Sequence, residues 1–133
     1  MRLEFTIPVA PVSKKNHSQI VKAHGRTILV PSKQYQKYEK DVAPFMPKLE
    51  EPIDSPVNVQ FTFYRDTRRA CDLSNLVECA ADILVKYGVL LDDNRNILYG
   101  LDRSRVLYSK ENPRTEIIIT DIPKDEFESW AKK

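Results

Sequence analysis

The segment from residue 73 to residue 86 constrains the fold more than any other part of the chain, because its apolar residues recur with the period of an α-helix. At about 100° per residue the apolar side chains project within one arc, and they are Leu73, Leu76, Val77, Ala80, Ile83 and Leu84. The polar residues project along the opposite line, and they are Asn75, Glu78, Asp82 and Lys86. Asp72 or Ser74 can cap the first turn, and Gly88 stands where a helix end favours a positive φ. The segment therefore predicts an amphipathic helix that covers a hydrophobic surface.

Alternation of apolar and polar residues predicts strands on both sides of this helix. The clearest strand runs from Val57 to Tyr64, where every second side chain is apolar. Shorter β-type runs are expected at residues 3–7, 19–23, 26–30, 97–108 and 115–120. The dipeptide His24-Gly25 would form the turn between the second and third of these runs.

A second helix is expected from Lys33 to Met46, with Ser32 as its N-cap and with Tyr35 and Tyr38 facing the core. The element order is then strand, hairpin, helix, strand, helix, strand, strand. Two helices most economically cover one face of a small mixed or antiparallel sheet, which predicts an α+β fold. The length of 133 residues favours one domain, residues 1–133, which ends in a polar tail at residues 121–133 that can form a short helix.

The composition excludes several classes of protein. Apolar residues make up 41% of the chain and charged residues 30%, which is typical of a folded globular domain. No apolar run approaches the ~20 residues that a membrane helix needs, and the N-terminus lacks the apolar core of a signal peptide. We therefore expect a cytoplasmic protein, no membrane partner, and reduced thiols at Cys71 and Cys79.

Charge is distributed unevenly along the chain. Residues 1–40 carry eight Lys and Arg against two acids, whereas residues 72–119 carry six basic groups against eight acids. A basic region beside an acidic cluster suits a polyanionic partner whose phosphates are attacked with the help of a metal. Mixed charge that merely keeps a small domain soluble is the simpler interpretation, and charge by itself favours it.

Four carboxylates flank or lie within the central helix, and they are Asp72, Glu78, Asp92 and Asp93. If the strands at 57–64 and 97–107 are neighbours, we expect these acids to converge at one rim of the sheet. Such hard oxygen ligands suit Mg²⁺ or Mn²⁺, and a metal there can activate a water and neutralise charge on a phosphodiester. Taken singly, each acid has an ordinary explanation as a helix cap, a turn residue or a solvated side chain; the combination is what favours a site.

The pattern Arg-Arg-x-x-Asp-Leu-x-Asn-Leu, then a helix, Gly-Val and Leu-Asp-Asp before a strand, resembles the RusA-type Holliday-junction resolvases. The loop from Pro11 to Asn16 and the helix with Tyr35 and Tyr38 resemble the same family, so the likeness extends to about Thr120. The resemblance implies a RusA-like α+β fold and a homodimeric, often prophage-associated endodeoxyribonuclease. Such an enzyme depends on Mg²⁺, with Mn²⁺ as a substitute, and it cuts four-way DNA junctions in recombination, repair or phage DNA processing.

The resemblance assigns Asp72 and Asp93 as catalytic, metal-binding acids and Asp92 as a further metal ligand. The family usually has a second Asp where this chain has Ser74, and often a lysine where it has Glu78. We hypothesise that Glu78 restores the missing carboxylate and so becomes both a catalytic and a metal-binding residue.

Asn75 and Ser74 would support the metal ligands by hydrogen bonds, although Asn75 could equally bond nearby backbone. The side chains expected to contact the DNA backbone are Arg68, Arg69, Lys14, Lys15, Asn16 and Arg26. Three alternatives stay open: a junction-binding protein on the same fold whose active site is degraded, a small protein-interaction domain, and a nuclease for flaps or forks.

Overall fold

The structure is a computed structural model, and it describes residues 1–13 and 18–131. In chain order the strands are β1 (Arg2–Ile7), β2 (Ser18–Ala23), β3 (Arg26–Pro31), β4 (Val57–Arg65), β5 (Leu98–Gly100), β6 (Arg105–Tyr108) and β7 (Arg114–Asp121). The helices are α1 (Lys33–Val42), between β3 and β4, α2 (Leu73–Lys86), between β4 and β5, and α3 (Lys124–Ala131), after β7. None of these helices, within the ranges described, is long and apolar enough to cross a membrane.

Five strands form a mixed open sheet in the order β1-β7-β4, with β5 and β6 both pairing along the outer side of β4. β7 is antiparallel to β1 and to β4, whereas β5 and β6 are parallel to β4. The predicted α+β fold with a mixed sheet is therefore confirmed. β2 and β3 form a separate hairpin, and its turn at His24 and Gly25 has φ values of 54° and 75°, as the dipeptide predicted.

One face of the sheet is buried in a single hydrophobic cluster. β4 contributes Val57, Val59, Phe61 and Phe63, none of which is exposed to solvent. Side chains of α1 and α2 belong to the same cluster, and they are Tyr35, Tyr38, Val42, Leu76, Val77, Cys79, Ala80, Ile83 and Leu84. Fully burying each aliphatic or aromatic side chain of this kind contributes about 1.5–3 kcal/mol. The apolar face of β4 and the apolar face of α2 thus pack against each other in one core, as the sequence predicts.

α1 begins as predicted but ends earlier. The Ser32 Oγ accepts a hydrogen bond from the Tyr35 backbone N–H at 3.1 Å, so it caps the first turn. The α-helix ends at Val42 instead of Met46, and residues 43–45 form a 3₁₀ turn. Pro44 lies inside this turn, and proline has no N–H to continue the α-helical ladder.

The region 97–108, predicted as a nearly continuous strand, is divided into β5 and β6. The Asn58 Oδ1 accepts a hydrogen bond from the Asp102 backbone N–H at 2.8 Å, and it would lie 2.6 Å from a Cβ placed on Gly100. The Ser104 Oγ accepts a hydrogen bond from the Phe61 N–H at 3.0 Å. These side-chain bonds replace part of the backbone ladder and hold a loop between the two short strands.

α2 and α3 occur where the sequence predicts them. The apolar arc of α2 is buried except at its first residue, Leu73, which is 37% exposed. Asp72 occupies the N-cap position, but its side chain makes no capping hydrogen bond. The helix is followed by Gly88 with φ of 73°. In the C-terminal tail, Phe127 of α3 meets the ring of Tyr99 edge to face at 5.8 Å.

Replacing Gly88 by alanine tests the turn that ends α2. A Cβ at this position has no atom within 4 Å, so the only expected penalty is the positive φ. We expect Gly88→Ala to lower the free energy of unfolding by about 1 kcal/mol. Gly88→Asn should cost less, because asparagine tolerates this conformation. Urea denaturation measures both variants; an alanine variant as stable as wild type would contradict the assigned backbone conformation.

Candidate active site at the rims of the sheet

The parallel pairing of β4 with β5 determines where the predicted acids lie. Asp72 follows the C-terminal end of β4, whereas Asp92 and Asp93 precede the N-terminal end of β5. Because Val57 pairs with Leu98 in parallel register, these two strand ends lie at opposite rims of the sheet. Between them, α2 has 14 residues and is about 21 Å long at 1.5 Å per residue. The strands are neighbours as we expected, but the prediction that the acids converge at one rim of a single chain is wrong.

The rim that carries Asp72, here called the Asp72 rim, contains an open groove of about 460 Å³. Its lining residues are Ser13, Arg65, Thr67, Arg69, Ala70, Cys71, Asp72 and Asn75. The Asn75 Nδ2 donates a hydrogen bond to the Asp72 Oδ2 at 3.2 Å. Asn75 therefore positions the Asp72 carboxylate beside the groove, in the way expected of a residue that supports a ligand.

Arginine side chains follow the same rim. The Arg65 Nη1 donates a hydrogen bond to the Arg69 carbonyl at 2.6 Å, and the Arg69 N–H donates to the Thr67 Oγ1 at 3.2 Å. Arg68 lies with its guanidinium carbon 4.1 Å from the ring centroid of Tyr108. Among residues 1–13 and 18–131, none of these arginines forms an ion pair with a carboxylate. Their charges are therefore available to a polyanion.

The opposite rim, here called the Asp93 rim, holds two neighbouring carboxyl groups with different proton affinities. The Asp92 carboxylate accepts hydrogen bonds from the Asp93 N–H at 2.7 Å and from the Asn94 Nδ2 at 3.0 Å, and these bonds lower the pKa of Asp92. Desolvation raises the pKa of Asp93, and the nearby Asp92 and Asp82 raise it further. The rim therefore concentrates negative charge that a cation would neutralise.

Glu78 and Ser74 lie in a different groove from Asp72. This groove, of about 350 Å³, is lined by Leu73, Ser74, Val77, Glu78, Leu101 and Ser104. The groove that contains Asp72 includes neither of them. The roles of Glu78 as a third carboxylate and of Ser74 as a supporting residue stay predictions.

The predicted DNA-binding residues fall in three places. Arg68 and Arg69 lie at the Asp72 rim, and Arg26 is exposed in the hairpin of β2 and β3. Lys14, Lys15 and Asn16 fall outside the residues that the structure describes. Ser13, which directly precedes these three residues, lines the groove beside Asp72.

The predicted carboxylate ligands are chemically suited to a divalent metal, but a single chain does not bring them together. Asp72, Asp92 and Asp93 offer the hard oxygens that Mg²⁺ prefers. Desolvation and, to a smaller extent, the neighbouring Asp92 and Asp82 raise the pKa of Asp93, and a bound cation would oppose both effects. Over the described residues, however, no three His, Cys, Asp or Glu side chains come together as a metal-binding group. The donor set therefore fits only if ligands from the two rims are brought together.

Three residues of the rims were not singled out by the sequence analysis as part of a site. In the sequence, Arg65 directly follows a predicted strand, Tyr108 ends another, and Asp82 is one of several polar residues on a helix face. Only the pairing of β6 with β4 places Tyr108 opposite Arg65. The turn at Gly88 brings Asp93 near Asp82, whose negative charge contributes to the raised pKa of Asp93. No local pattern would have indicated either contact.

Comparison with known proteins identifies the class of this protein: it is an endodeoxyribonuclease. The family model described as endodeoxyribonuclease RusA matches residues 8–120 of the 133-residue chain. The chain belongs to the RusA family, whose members bind and cleave branched DNA junctions and generally depend on a divalent metal. A search of curated proteins found no significant match.

The different pKa shifts of the two acids give opposite pH dependences of stability. The raised pKa of Asp93 means that the folded protein retains a proton that the unfolded chain loses, so this group destabilises the fold as pH rises above about 4. We expect Asp93→Asn to raise Tm relative to wild type at pH 7, with the difference vanishing near pH 3. Calorimetry at both pH values in EDTA measures the effect.

Asp92→Asn is the matched control for this experiment. The lowered pKa of Asp92 stabilises the fold above its ordinary pKa, and this contribution is lost as pH falls. The variant should therefore lower Tm at pH 7 and have little effect at acid pH. Equal Tm changes of the same sign in both variants would contradict the assigned environments.

Proposed function

We propose that the chain is a Mg²⁺-dependent endonuclease that acts as a homodimer and resolves four-way DNA junctions by paired nicks. The observation that carries this proposal is the separation of Asp72 from Asp92 and Asp93 by a parallel strand pair. An acidic metal site that includes both rims then needs a second copy of the chain. A two-fold dimer supplies one, because its symmetry can set the Asp72 rim of one protomer against the Asp93 rim of its partner.

The same symmetry accounts for two cuts. A two-fold axis that creates one composite site creates a second, identical site. A four-way junction has approximate two-fold symmetry and needs a nick in each of two strands. The proposed dimer therefore presents one site to each scissile strand, which supports junction resolution over cleavage of flaps or forks.

Within each proposed site, Asp72 and Asp93 hold the metal, Asp92 supports it, and Asn75 positions the Asp72 carboxylate. Glu78 stays the hypothesised third carboxylate. The metal, when bound, neutralises charge on the phosphodiester and lowers the pKa of a water for attack. The chain itself aligns the DNA through the arginines of the Asp72 rim. Binding should weaken steeply as the salt concentration rises, because the release of counterions from the DNA then becomes less favourable.

The second candidate is a junction-binding protein on the same fold that no longer cleaves. The observation that favours it is Ser74 in place of an acid, in a groove that does not include Asp72. Such a protein would bind a junction equally well in EDTA and would leave the strands intact when Mg²⁺ or Mn²⁺ is restored.

Cleavage of a labelled four-way junction distinguishes the two candidates. We expect wild type to make symmetric paired nicks in Mg²⁺ and none in EDTA. Asp72→Asn should lose nicking by more than about 100-fold, since loss of even a ligand's hydrogen-bond partner costs about 10–100-fold. Junction binding in EDTA should be retained. Glu78→Gln belongs in the same assay, where full activity would remove Glu78 from the site.

Mixing two inactive variants tests whether the site is shared between protomers. In a mixed dimer of Asp72→Asn with Asp93→Asn, one composite site has lost both acids and the other retains both. We therefore expect nicking of one strand per junction to return after the two variants are refolded together. A site contained within one chain would show no recovery, because each chain of the mixed dimer lacks one acid.

The control for this mixing experiment is a pair of variants at the same residue. Asp72→Asn refolded with Asp72→Ala leaves every site without its Asp72 carboxylate, so no activity should return. Recovery in this control would indicate residual activity of a variant and would remove the support for a shared site.

A further inference from the structure

Tyr108 lies at the Asp72 rim, on the same side of the sheet as α2. It ends β6, an edge strand that pairs only with β4 among the described strands, and its register partner is Arg65. Side chains alternate along a strand, so Arg65 shares a face with the buried Phe63. Paired residues of parallel strands project to the same face of the sheet. Tyr108 therefore lies on the face that carries Phe63, at the end of β6 that extends beyond the hydrophobic core.

The ring of Tyr108 is accessible and is bordered by cationic groups. Tyr108 is 39% exposed. The groove beside it, of about 230 Å³, is lined by Arg65, Thr67, Arg68, Arg69, Val106, Leu107 and Tyr108. Arg65, Thr67 and Arg69 also line the groove that contains Asp72. One continuous surface therefore leads from the proposed metal ligand to the aromatic ring.

A second tyrosine on β4 shows what a purely structural arginine–tyrosine contact looks like in this chain. Arg114 lies 3.7 Å above the ring centroid of Tyr64, on the opposite face of the sheet. Its Nε is paired with the Glu116 carboxylate at 3.0 Å, so its charge is already neutralised. Arg68, above Tyr108, forms no such pair within the described residues. The two contacts therefore differ in whether the arginine is already paired with a carboxylate, and only the unpaired charge of Arg68 is available to a DNA phosphate.

We propose that Tyr108 stacks on a base that the branch point of a DNA junction leaves unstacked, while Arg68 and Arg69 hold the adjoining phosphates. In continuous duplex both faces of every base are covered, so the ring gains nothing from stacking there. At a branch point the stack is interrupted, and an aromatic side chain can cover the exposed face. Tyr108 is thus a residue that determines specificity for branched over linear DNA, an inference that rests on the proposed junction-resolving function.

Binding experiments in EDTA test this role without any contribution from cleavage. The affinities of wild type and variants are measured by fluorescence anisotropy for a four-way junction and for linear duplex of the same arm sequence. We expect Tyr108→Leu to lower the junction-to-duplex affinity ratio about tenfold, given typical losses when a stacking aromatic is removed. Tyr108→Phe keeps the ring and should keep the ratio. Tyr64→Leu is the matched control and should also keep it.

A 2-aminopurine base at the branch point reports stacking directly. Wild type and Tyr108→Phe should change its fluorescence on binding, and Tyr108→Leu should not. If Tyr108→Leu weakens junction and duplex binding equally, the ring only orders Arg68, and if it changes neither affinity, the ring contacts no base. Either result overturns this inference and leaves the proposed function standing. If wild type shows no preference for the junction, the proposed function is overturned and the inference with it.

Discussion

The parallel pairing of β4 with β5 and β6 is the constraint on which the rest of the structure depends. β4 runs from the Asp93 rim to the Asp72 rim, α2 carries the chain back across the buried face, and β5 begins at the Asp93 rim. A strand–helix–strand connection of this kind necessarily separates the residues that precede the helix from those that follow it. The hydrophobic contacts between α2 and β4 therefore stabilise the fold and, at the same time, keep Asp72 apart from Asp92 and Asp93.

This separation divides the chemistry of the two rims. The Asp72 rim carries Arg65, Arg68 and Arg69, which form no ion pair with a carboxylate among the described residues, so their charge can attract a polyanion. The Asp93 rim concentrates carboxyl groups, and the pKa of Asp93 is raised by desolvation first and by the neighbouring Asp92 and Asp82 second. Neither rim of a single chain brings Asp72 together with Asp92 and Asp93. In the proposed dimer, cleavage would require both protomers, so an isolated chain would make no cut.

Much of the fold could be predicted because its signals are local. The Ser32 cap, the turn at His24-Gly25, the positive φ at Gly88 and the alternation along β4 each depend on a few neighbouring residues. The predictions of secondary structure failed where side chains from distant parts of the chain compete with a local pattern. Asn58 and Ser104 divide the predicted strand at 97–108 through side-chain bonds to the backbone across the sheet, and no periodicity within that stretch reveals them.

The sequence by itself determined the family, the helix and strand segments, and the candidate residues of the site, because motif spacing and hydrophobic period belong to the chain alone. Only the tertiary structure decided that Asp72 and Asp93 lie at opposite rims, that Glu78 faces a separate groove, and that Tyr108 lies beside Arg65 and Arg68. The physical reason is that period and propensity specify which face of an element is buried. The direction in which a strand pairs, and hence which rim each end reaches, depends on contacts between residues far apart in the chain.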